Sequence, residues 1–279
     1  MQIGWGELEP EEGVYRWGAI DGAAKAAARA GKKVTLHVLP LPLPPPWLAQ
    51  AGATMYDATS PRGQAESVPV PWDAVYLATF SGFLQTLARH LRDAGLARSI
   101  AAVSVAAPVP EMSLFPCNRG ALVPGVGYDR AAYLAAWTQM IDAYEAAFPS
   151  VRKLVSAPVD VICAPDRDPS FYREVMGYAL PRGSFWLFAA DLNANGSRRM
   201  TPYKDMIGRA SLAYQTIWSA AADPAHRMEG RYPGNLEQAV CRGLADGARH
   251  FELYPVDILS SNATLQAAVA AVHSPRSCR

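Results

Sequence analysis

The 279-residue chain carries 26 Lys and Arg residues against 25 Asp and Glu residues, and half of its residues are hydrophobic. This composition excludes an intrinsically disordered protein, which combines low hydrophobicity with high net charge. A net charge of +1 without basic runs argues against nucleic-acid binding. Charges and prolines interrupt the apolar segments, so no membrane span is predicted. We therefore expect a soluble protein with one domain over residues 1–279, a monomer or homodimer with a small or uncharged partner.

The four cysteines lie far apart in the sequence, at Cys117, Cys163, Cys241 and Cys278. They form no Cys-x-x-Cys or Cys/His pattern at metal-ligand spacing, so we predict no metal, and nothing in the sequence indicates a cofactor. Ordinary thiols are favoured, with one disulfide left open. The N-terminus lacks the charged and then apolar segments of a signal peptide. A cytoplasmic protein and a secreted protein with its signal peptide removed both stay open.

Strand-like and helix-like segments alternate along the whole chain. Apolar alternation and β-branched residues predict seven strands, at residues 2–6, 33–39, 99–107, 151–158, 184–192, 210–220 and 248–254. Helical periodicity predicts helices between them, at residues 21–30, 74–91, 129–148, 169–178, 236–246 and 262–272, with a short helix or turn at 203–208. Strands separated in this way pair in parallel through right-handed crossovers.

Two architectures compete for such an α/β pattern. A (β/α)8 TIM barrel usually has about 250 residues, which suits this chain. An open doubly wound sheet usually has a glycine-rich turn after its first strand, and no such turn follows residues 2–6. Polar and aromatic residues gather instead after the C-terminal ends of the predicted strands, where barrel active sites are built. We predict the barrel, although seven strands are one short of its eight.

Two segments near the N-terminus carry a family resemblance. The opening reads Trp5-Gly-Glu-Leu-Glu-Pro-Glu-Glu-Gly-Val-Tyr-Arg-Trp-Gly-Ala-Ile-Asp21, and His37 is followed by Pro44-Pro-Pro-Trp-Leu48. They resemble the second and third βα units of clan A glycoside hydrolases, above all the family 42 β-galactosidases and family 10 xylanases. The resemblance covers about the first 50 residues. It implies a (β/α)8 barrel that begins at its second strand, with the first strand lacking or atypical.

The resemblance also implies a pair of catalytic glutamates. In these enzymes the general acid follows the fourth strand, where this chain has Glu111, although Pro110 stands in the place of the usual Asn. The nucleophile ends the seventh strand, where this chain has Gln215, and the next strand holds Glu252. We therefore expect Glu111 and Glu252 to act as the catalytic pair on a β-linked oligo- or polysaccharide. The alternative is a barrel that binds carbohydrate without catalysis.

The surroundings of the two glutamates suit these roles. We expect the apolar residues next to Glu111 in the sequence to raise the pKa of its carboxyl group toward the range of a general acid. If Phe251 and Leu253 face the helices, Glu252 and Tyr254 face the barrel axis. The structural alternatives are a solvated loop charge for Glu111 and, for Glu252, a buried ion pair with Arg249 or Arg209. The fourth and eighth strands lie opposite each other, which favours the wider separation of an inverting enzyme, and retention stays open.

Aromatic and hydrogen-bonding side chains near the strand ends are the candidate substrate contacts, since sugars stack on rings and bind polar groups. They are Glu7, Trp5, His37, Trp47, Asp191, Asn193, Gln215, Trp218 and Tyr254. A role in the core is the alternative for the tryptophans and for His37. Glu9 is expected to tether its loop, and Asp73 to cap the helix at residues 74–91.

Overall fold

In this computed structural model the chain is described at residues 1–41, 44–59, 65–108, 117–118, 121–122, 129–156, 170–217, 234–259, 263–274 and 278. It divides into two compact units. The first unit comprises Met1–Val155 and Asp160–Phe185, and the second comprises Ser156–Val159 and Trp186–Arg279. Among the described helices, none combines the length and the apolar character needed to cross a membrane.

The first unit contains a parallel sheet with helices between its strands. Its elements are β1 (Gln2–Gly4), α1 (Trp5–Leu8), α2 (Gly18–Arg29), β2 (Val34–Leu39), β3 (Met55–Thr59), β4 (Ala65–Pro69), α3 (Ala74–Asp93), β5 (Ile100–Val105), β6 (Cys117–Asn118), β7 (Ala121–Leu122), α4 (Arg130–Ala147), β8 (Arg152–Ser156) and α5 (Phe171–Ala179). The parallel strands lie in the order β1-β2-β5-β8. The pairs β3-β4 and β6-β7 form separate antiparallel hairpins.

The described residues of the second unit form three parallel strands and three helices. Its elements are β9 (Phe185–Leu192), β10 (Leu212–Thr216), α6 (Leu236–Ala245), β11 (Ala248–Glu252), α7 (Pro255–Leu259) and α8 (Ala263–His273). The strands lie in the order β9-β10-β11. Short 3₁₀ turns occupy Ala97–Ser99 and Leu180–Arg182 in the first unit and Thr201–Tyr203 in the second. All seven strands predicted from the sequence are present, and each pairs in parallel as expected.

Every observed strand is shorter than its predicted range, and two of them illustrate the difference. The strand predicted at residues 2–6 ends at Gly4, because the next four residues form a helical turn in which Gly4 N donates to Glu7 Oε1 at 3.0 Å. The strand predicted at residues 210–220 covers only Leu212–Thr216 within the described residues. The hairpin β3-β4 was not predicted, because its residues carry no clear two-residue alternation.

Helix α3 shows how the local sequence builds the core of the first unit. Asp73 caps it, with Oδ1 accepting from Tyr76 N at 2.8 Å, as the sequence predicted. Its buried face is apolar at helical spacing and includes Phe80 and Phe83. Both rings pack against Trp5, with centroids 5.1 and 5.8 Å away. The chain entering from β1 is thereby anchored on this helix.

Helices α6 and α8 form the core of the second unit. Leu236 and Val240 of α6 pack with Ala268 and Ala271 of α8. A disulfide joins Cys241 to Cys278, which are 37 positions apart in the sequence. The preference for ordinary thiols was therefore wrong for these two cysteines. Spacing alone gave no sign of the pairing, since the bond depends on how α8 returns to α6.

Candidate active site

The side chains of β11 alternate between two environments. Phe251 and Leu253 pack against the cluster formed by α6 and α8. The fit is close, because a Cβ on Gly243 of α6 would lie 2.5 Å from Phe251 Cε1. Successive residues of a strand point to opposite faces, so His250 and Glu252 lie on the face away from these helices. The sequence predicted this orientation for Glu252.

Glu252 shares its face with three neighbouring side chains. His250 Nε2 lies 3.4 Å from Glu252 Oε1, and the two side chains are only 14% and 15% exposed. In the pairing with β10, Ala213 is aligned with His250 and Gln215 with Glu252. Tyr214, between them, points the other way and donates to Asp246 Oδ2 at 3.0 Å. A mostly buried carboxylate, an imidazole and an amide are therefore brought together at the C-terminal ends of two strands.

The residues that follow β11 add a tyrosine and a second acid. Burial, and then the negative charge of Asp257, raise the pKa of Tyr254 above its ordinary value. Asp257 has no exposed surface and lies in the first turn of α7. Asp257 was not among the site residues predicted from the sequence. Its position two residues after Pro255, which opens the helix, was the available signal.

Asp191, at the end of β9, is engaged by its own loop. Its Oδ1 accepts from the hydroxyl of Ser197, and its Oδ2 accepts from the backbone N of Arg198 and Arg199 at 3.0 and 3.1 Å. The residue is 7% exposed. The carboxylate therefore organises the turn after β9.

Asn193 belongs to the same turn. Its Oδ1 accepts from Asn195 N at 2.8 Å, and Asn193 and Gly196 form an isolated antiparallel bridge. Gly196 has a φ of 98°, a conformation that glycine adopts without strain. Like Asp191, Asn193 was selected as a substrate contact, and here its amide oxygen holds the backbone of the turn.

Glu9 is the organising acid of the first unit. Its Oε2 accepts from Trp5 Nε1 at 2.8 Å, and its Oε1 accepts from Gly13 N at 3.0 Å. Its backbone oxygen accepts from Trp47 Nε1 at 3.0 Å. The expectation that Glu9 tethers its loop is confirmed. Trp5 has no exposed surface, so it packs in the core and offers no face on which a sugar could stack.

The other candidates of the first unit are more accessible. Leu36 and Val38 line a small core cavity together with residues of α3 and α4, so His37, between them, points to the opposite face of β2. His37 and Trp47 are half-buried, and Glu7 is exposed.

Two candidates, Glu111 and Trp218, lie outside the described residues. Among the residues that the structure does describe, no three His, Cys, Asp or Glu side chains are grouped so that they could hold a metal ion.

Comparison with known proteins identifies the architecture. No family model matches the chain, and no curated protein matches it. Among solved structures, the chain is similar to an exo-β-1,4-mannosidase from Opitutaceae bacterium strain TAV5, with a TM-score of 0.54 and 11% identity over 91% of this chain and 44% of that one. The fold is a (β/α)8 barrel. The predicted fold class is confirmed, and the described residues supply seven of the parallel strands.

Two further structures share this barrel fold. A β-galactosidase from Marinomonas ef1 has a TM-score of 0.54 and 10% identity over 91% of this chain and 49% of that one. An intracellular xylanase from Thermoanaerobacterium saccharolyticum has a TM-score of 0.50 and 12% identity over 89% of this chain and 74% of that one. The chain thus spans less than half the length of the mannosidase and of the galactosidase. At these identities the likeness shows the fold alone.

Proposed function

We propose that the protein is a glycoside hydrolase that cleaves a β-linked oligo- or polysaccharide. Glu252 carries the proposal. It stands at the C-terminal end of a barrel strand, on the face away from α6 and α8, and is mostly buried beside His250 and Gln215. In (β/α)8 barrels, residues at this end of the strands perform the chemistry. The names of the similar structures, a mannosidase, a xylanase and a galactosidase, support the substrate class.

The proposed reaction needs two carboxyl groups with different protonation. Glu111, the acid implied by the family resemblance, donates its proton to the leaving glycosidic oxygen. The ionised carboxylate of Glu252 either attacks the anomeric carbon or takes a proton from the water that does so. Attack by Glu252 forms a covalent glycosyl-enzyme, which water activated by the deprotonated Glu111 then hydrolyses to a retained product, whereas activation of water by Glu252 gives an inverted product in one step. The anomer formed first, observed by proton NMR, distinguishes these two roles.

The candidate substrate contacts fall into two groups, those accessible to a sugar and those engaged in supporting the backbone. Accessible or polar groups bind the sugar in this proposal, and they are Glu7, His37, Trp47, Gln215 and Tyr254, together with Trp218. Trp5, Asp191 and Asn193 instead hold the backbone that presents these groups, since a ring without exposed surface and side chains engaged by their own turn act as supports.

Single substitutions test the catalytic pair. The substrates are the 4-nitrophenyl β-glycosides of galactose, mannose and xylose, together with β-1,4-linked mannan and xylan. We expect Glu252→Gln and Glu111→Gln each to lower kcat by about a thousandfold, the scale of general acid–base and nucleophilic catalysis, with little change in melting temperature. Glu174→Gln is the matched control, since Glu174 is 48% exposed and should retain full activity. Normal turnover in both active-site variants would refute the proposal.

A second candidate function is carbohydrate binding without hydrolysis. Gln215, a neutral residue at the end of β10 where the related enzymes have a carboxylate, favours it. Calorimetry with xylotriose and mannotriose distinguishes the two functions. Binding without release of reducing ends supports the binding protein, and release of reducing ends supports the hydrolase.

A further inference from the structure

We infer that His250 is the positioning residue of Glu252, with the Nε2–H group of the imidazole donating to Glu252 Oε1. The inference rests on the proposed function, because it assigns to His250 the orientation of Glu252, the proposed nucleophile or base. His250 stands one strand repeat before Glu252, so both side chains leave the same face of β11. Their 3.4 Å contact joins two groups that are each about 85% buried.

The backbone of β11 that carries this contact is packed on its opposite face. Phe251 and Leu253 alternate with the two polar residues and are packed into the cluster of α6 and α8. The ring of Phe251 lies over Gly243, where even a methyl group would collide with it. The strand therefore has little freedom to twist about its axis, and the directions of the His250 and Glu252 side chains are fixed together.

The residues of the neighbouring strand that are aligned with the pair are uncharged. Ala213 of β10, which is aligned with His250, carries only a methyl group. Gln215, aligned with Glu252, adds a neutral amide. Of the charged groups on packed elements, Arg242 and Asp246 of α6 pair with each other at 3.0 Å on the helix side of the sheet, where Asp246 also binds Tyr214. Asp257 of α7 acts electrostatically on Tyr254.

A donor at this position has two effects on a reacting carboxylate. It stabilises the ionised form, which either attacks the anomeric carbon or accepts a proton from water. It also engages Oε1 and so limits rotation of the carboxylate about its last bond, keeping the group in one orientation. His250 makes no direct contact with substrate in this account, and it acts only through Glu252.

The contact itself is tested by NMR, without substrate. Long-range ¹H–¹⁵N spectra of the imidazole side chains, assigned by loss of a signal in the His250→Gln variant, report which ring nitrogen carries the proton. We expect His250 in the unmodified protein to be protonated at Nε2, and Glu252→Gln to weaken that preference. Protonation at Nδ1 alone, or identical spectra in the two proteins, would overturn the inference.

The effect on catalysis is tested by a pair of variants. His250→Phe keeps a planar ring without the donor, and His250→Gln restores a side-chain N–H near the position of Nε2. With the 4-nitrophenyl β-glycoside that the protein cleaves best, we expect His250→Phe to lower kcat about ten- to a hundredfold with KM within about twofold. We expect His250→Gln to recover most of the loss. Thermal melting of each variant verifies that it is folded.

The outcomes separate this inference from the proposed function. If Glu252→Gln is inactive while His250→Phe turns over normally, the hydrolase stands and the positioning role is refuted. If Glu252→Gln and Glu111→Gln are both fully active, or the unmodified protein cleaves none of the substrates, the proposed function fails, and the NMR result alone decides whether the pair exists. Equal loss in the Phe and Gln variants assigns His250 to packing and overturns the donor role.

Discussion

Asp191 and Glu252 end two strands of the same unit, yet they are held in different ways. The carboxylate of Asp191 accepts hydrogen bonds from residues six to eight positions further along its own loop. The side-chain direction of Glu252 is set by β11, because its neighbours in the chain, Phe251 and Leu253, pack into the cluster of α6 and α8. One acid is fixed by local hydrogen bonds, and the other by tertiary packing behind it.

The difference separates structural acids from candidate catalytic ones. Glu9 in the first unit repeats the pattern of Asp191, since its partners Trp5 and Gly13 are both four residues away. A carboxylate whose oxygens are engaged by backbone and side-chain donors of its own turn stabilises that turn. Burial at a strand end is therefore not enough to identify a catalytic acid. The identity of its partners decides, and for Glu252 these include an imidazole.

Removing the Cys241–Cys278 disulfide has the largest effect expected on stability. The bond closes a loop of 37 residues that joins α6 to the end of the chain, behind β11. The loss of this constraint on the unfolded chain should lower the free energy of unfolding by about 4 kcal/mol in the Cys241→Ser, Cys278→Ser double variant. Urea unfolding followed by circular dichroism measures the change.

Peptide mapping under non-reducing conditions is the control for that experiment, since it shows whether the link exists in the purified protein. If the linked peptide is present and the double variant unfolds at the same urea concentration, tertiary packing holds β11 without help from the bond. The contrast between Asp191 and Glu252 would then depend on the apolar contacts of Phe251 and Leu253 alone.

Asp191→Ala tests the locally held acid. Three donors lose a charged acceptor in a site that is 7% exposed, so we expect the free energy of unfolding to fall by about 3 kcal/mol. Glu174→Ala is the matched control, because Glu174 is 48% exposed and its ion pair with Arg130 should contribute less than about 1 kcal/mol. Equal losses in the two variants, measured by urea unfolding, would show that the loop of Asp191 does not depend on its carboxylate.

The sequence predicted most of this arrangement where the signal was periodic. Alternation gave all seven parallel strands and the orientation of Glu252, and the position of Glu9 before Pro10 indicated a tether. Non-periodic features were missed. The hydrogen bond from Gly4 to Glu7 ends β1 early. The capture of Asp191 by three donors also went unpredicted, because it depends on a loop conformation that composition does not reveal.

The disulfide and the pairing of His250 with Glu252 were missed for another reason. The two cysteines are 37 positions apart, and no spacing rule joins them. His250 and Glu252 are close in sequence, but two residues on one face of a strand touch only if their rotamers turn toward each other. The neighbours of the pair on the next strand, Ala213 and Gln215, are set by the register in which β10 pairs with β11, and sequence spacing does not give that register.

Gly243→Ala, the substitution with the smallest expected effect, tests the packing that directs β11. The new methyl group would lie 2.5 Å from Phe251 Cε1 and 3.2 Å from Leu192 Cδ2, so one of these side chains must move. Overpacking outweighs the gain in helix propensity, and we expect a loss of about 1 to 2 kcal/mol in the free energy of unfolding. Because the displaced ring lies next to Glu252 in the chain, kcat should also fall if the packing of Phe251 directs that carboxylate.

Gly177→Ala in α5 is the matched control, since nothing lies within 4 Å of the added Cβ. The same substitution should there stabilise the protein by up to about 1 kcal/mol, because alanine has the higher helix propensity. Thermal and urea unfolding of the two variants should therefore differ in sign. Stabilisation by both substitutions would show that Phe251 yields readily, and packing against α6 would then be too weak to determine where Glu252 points.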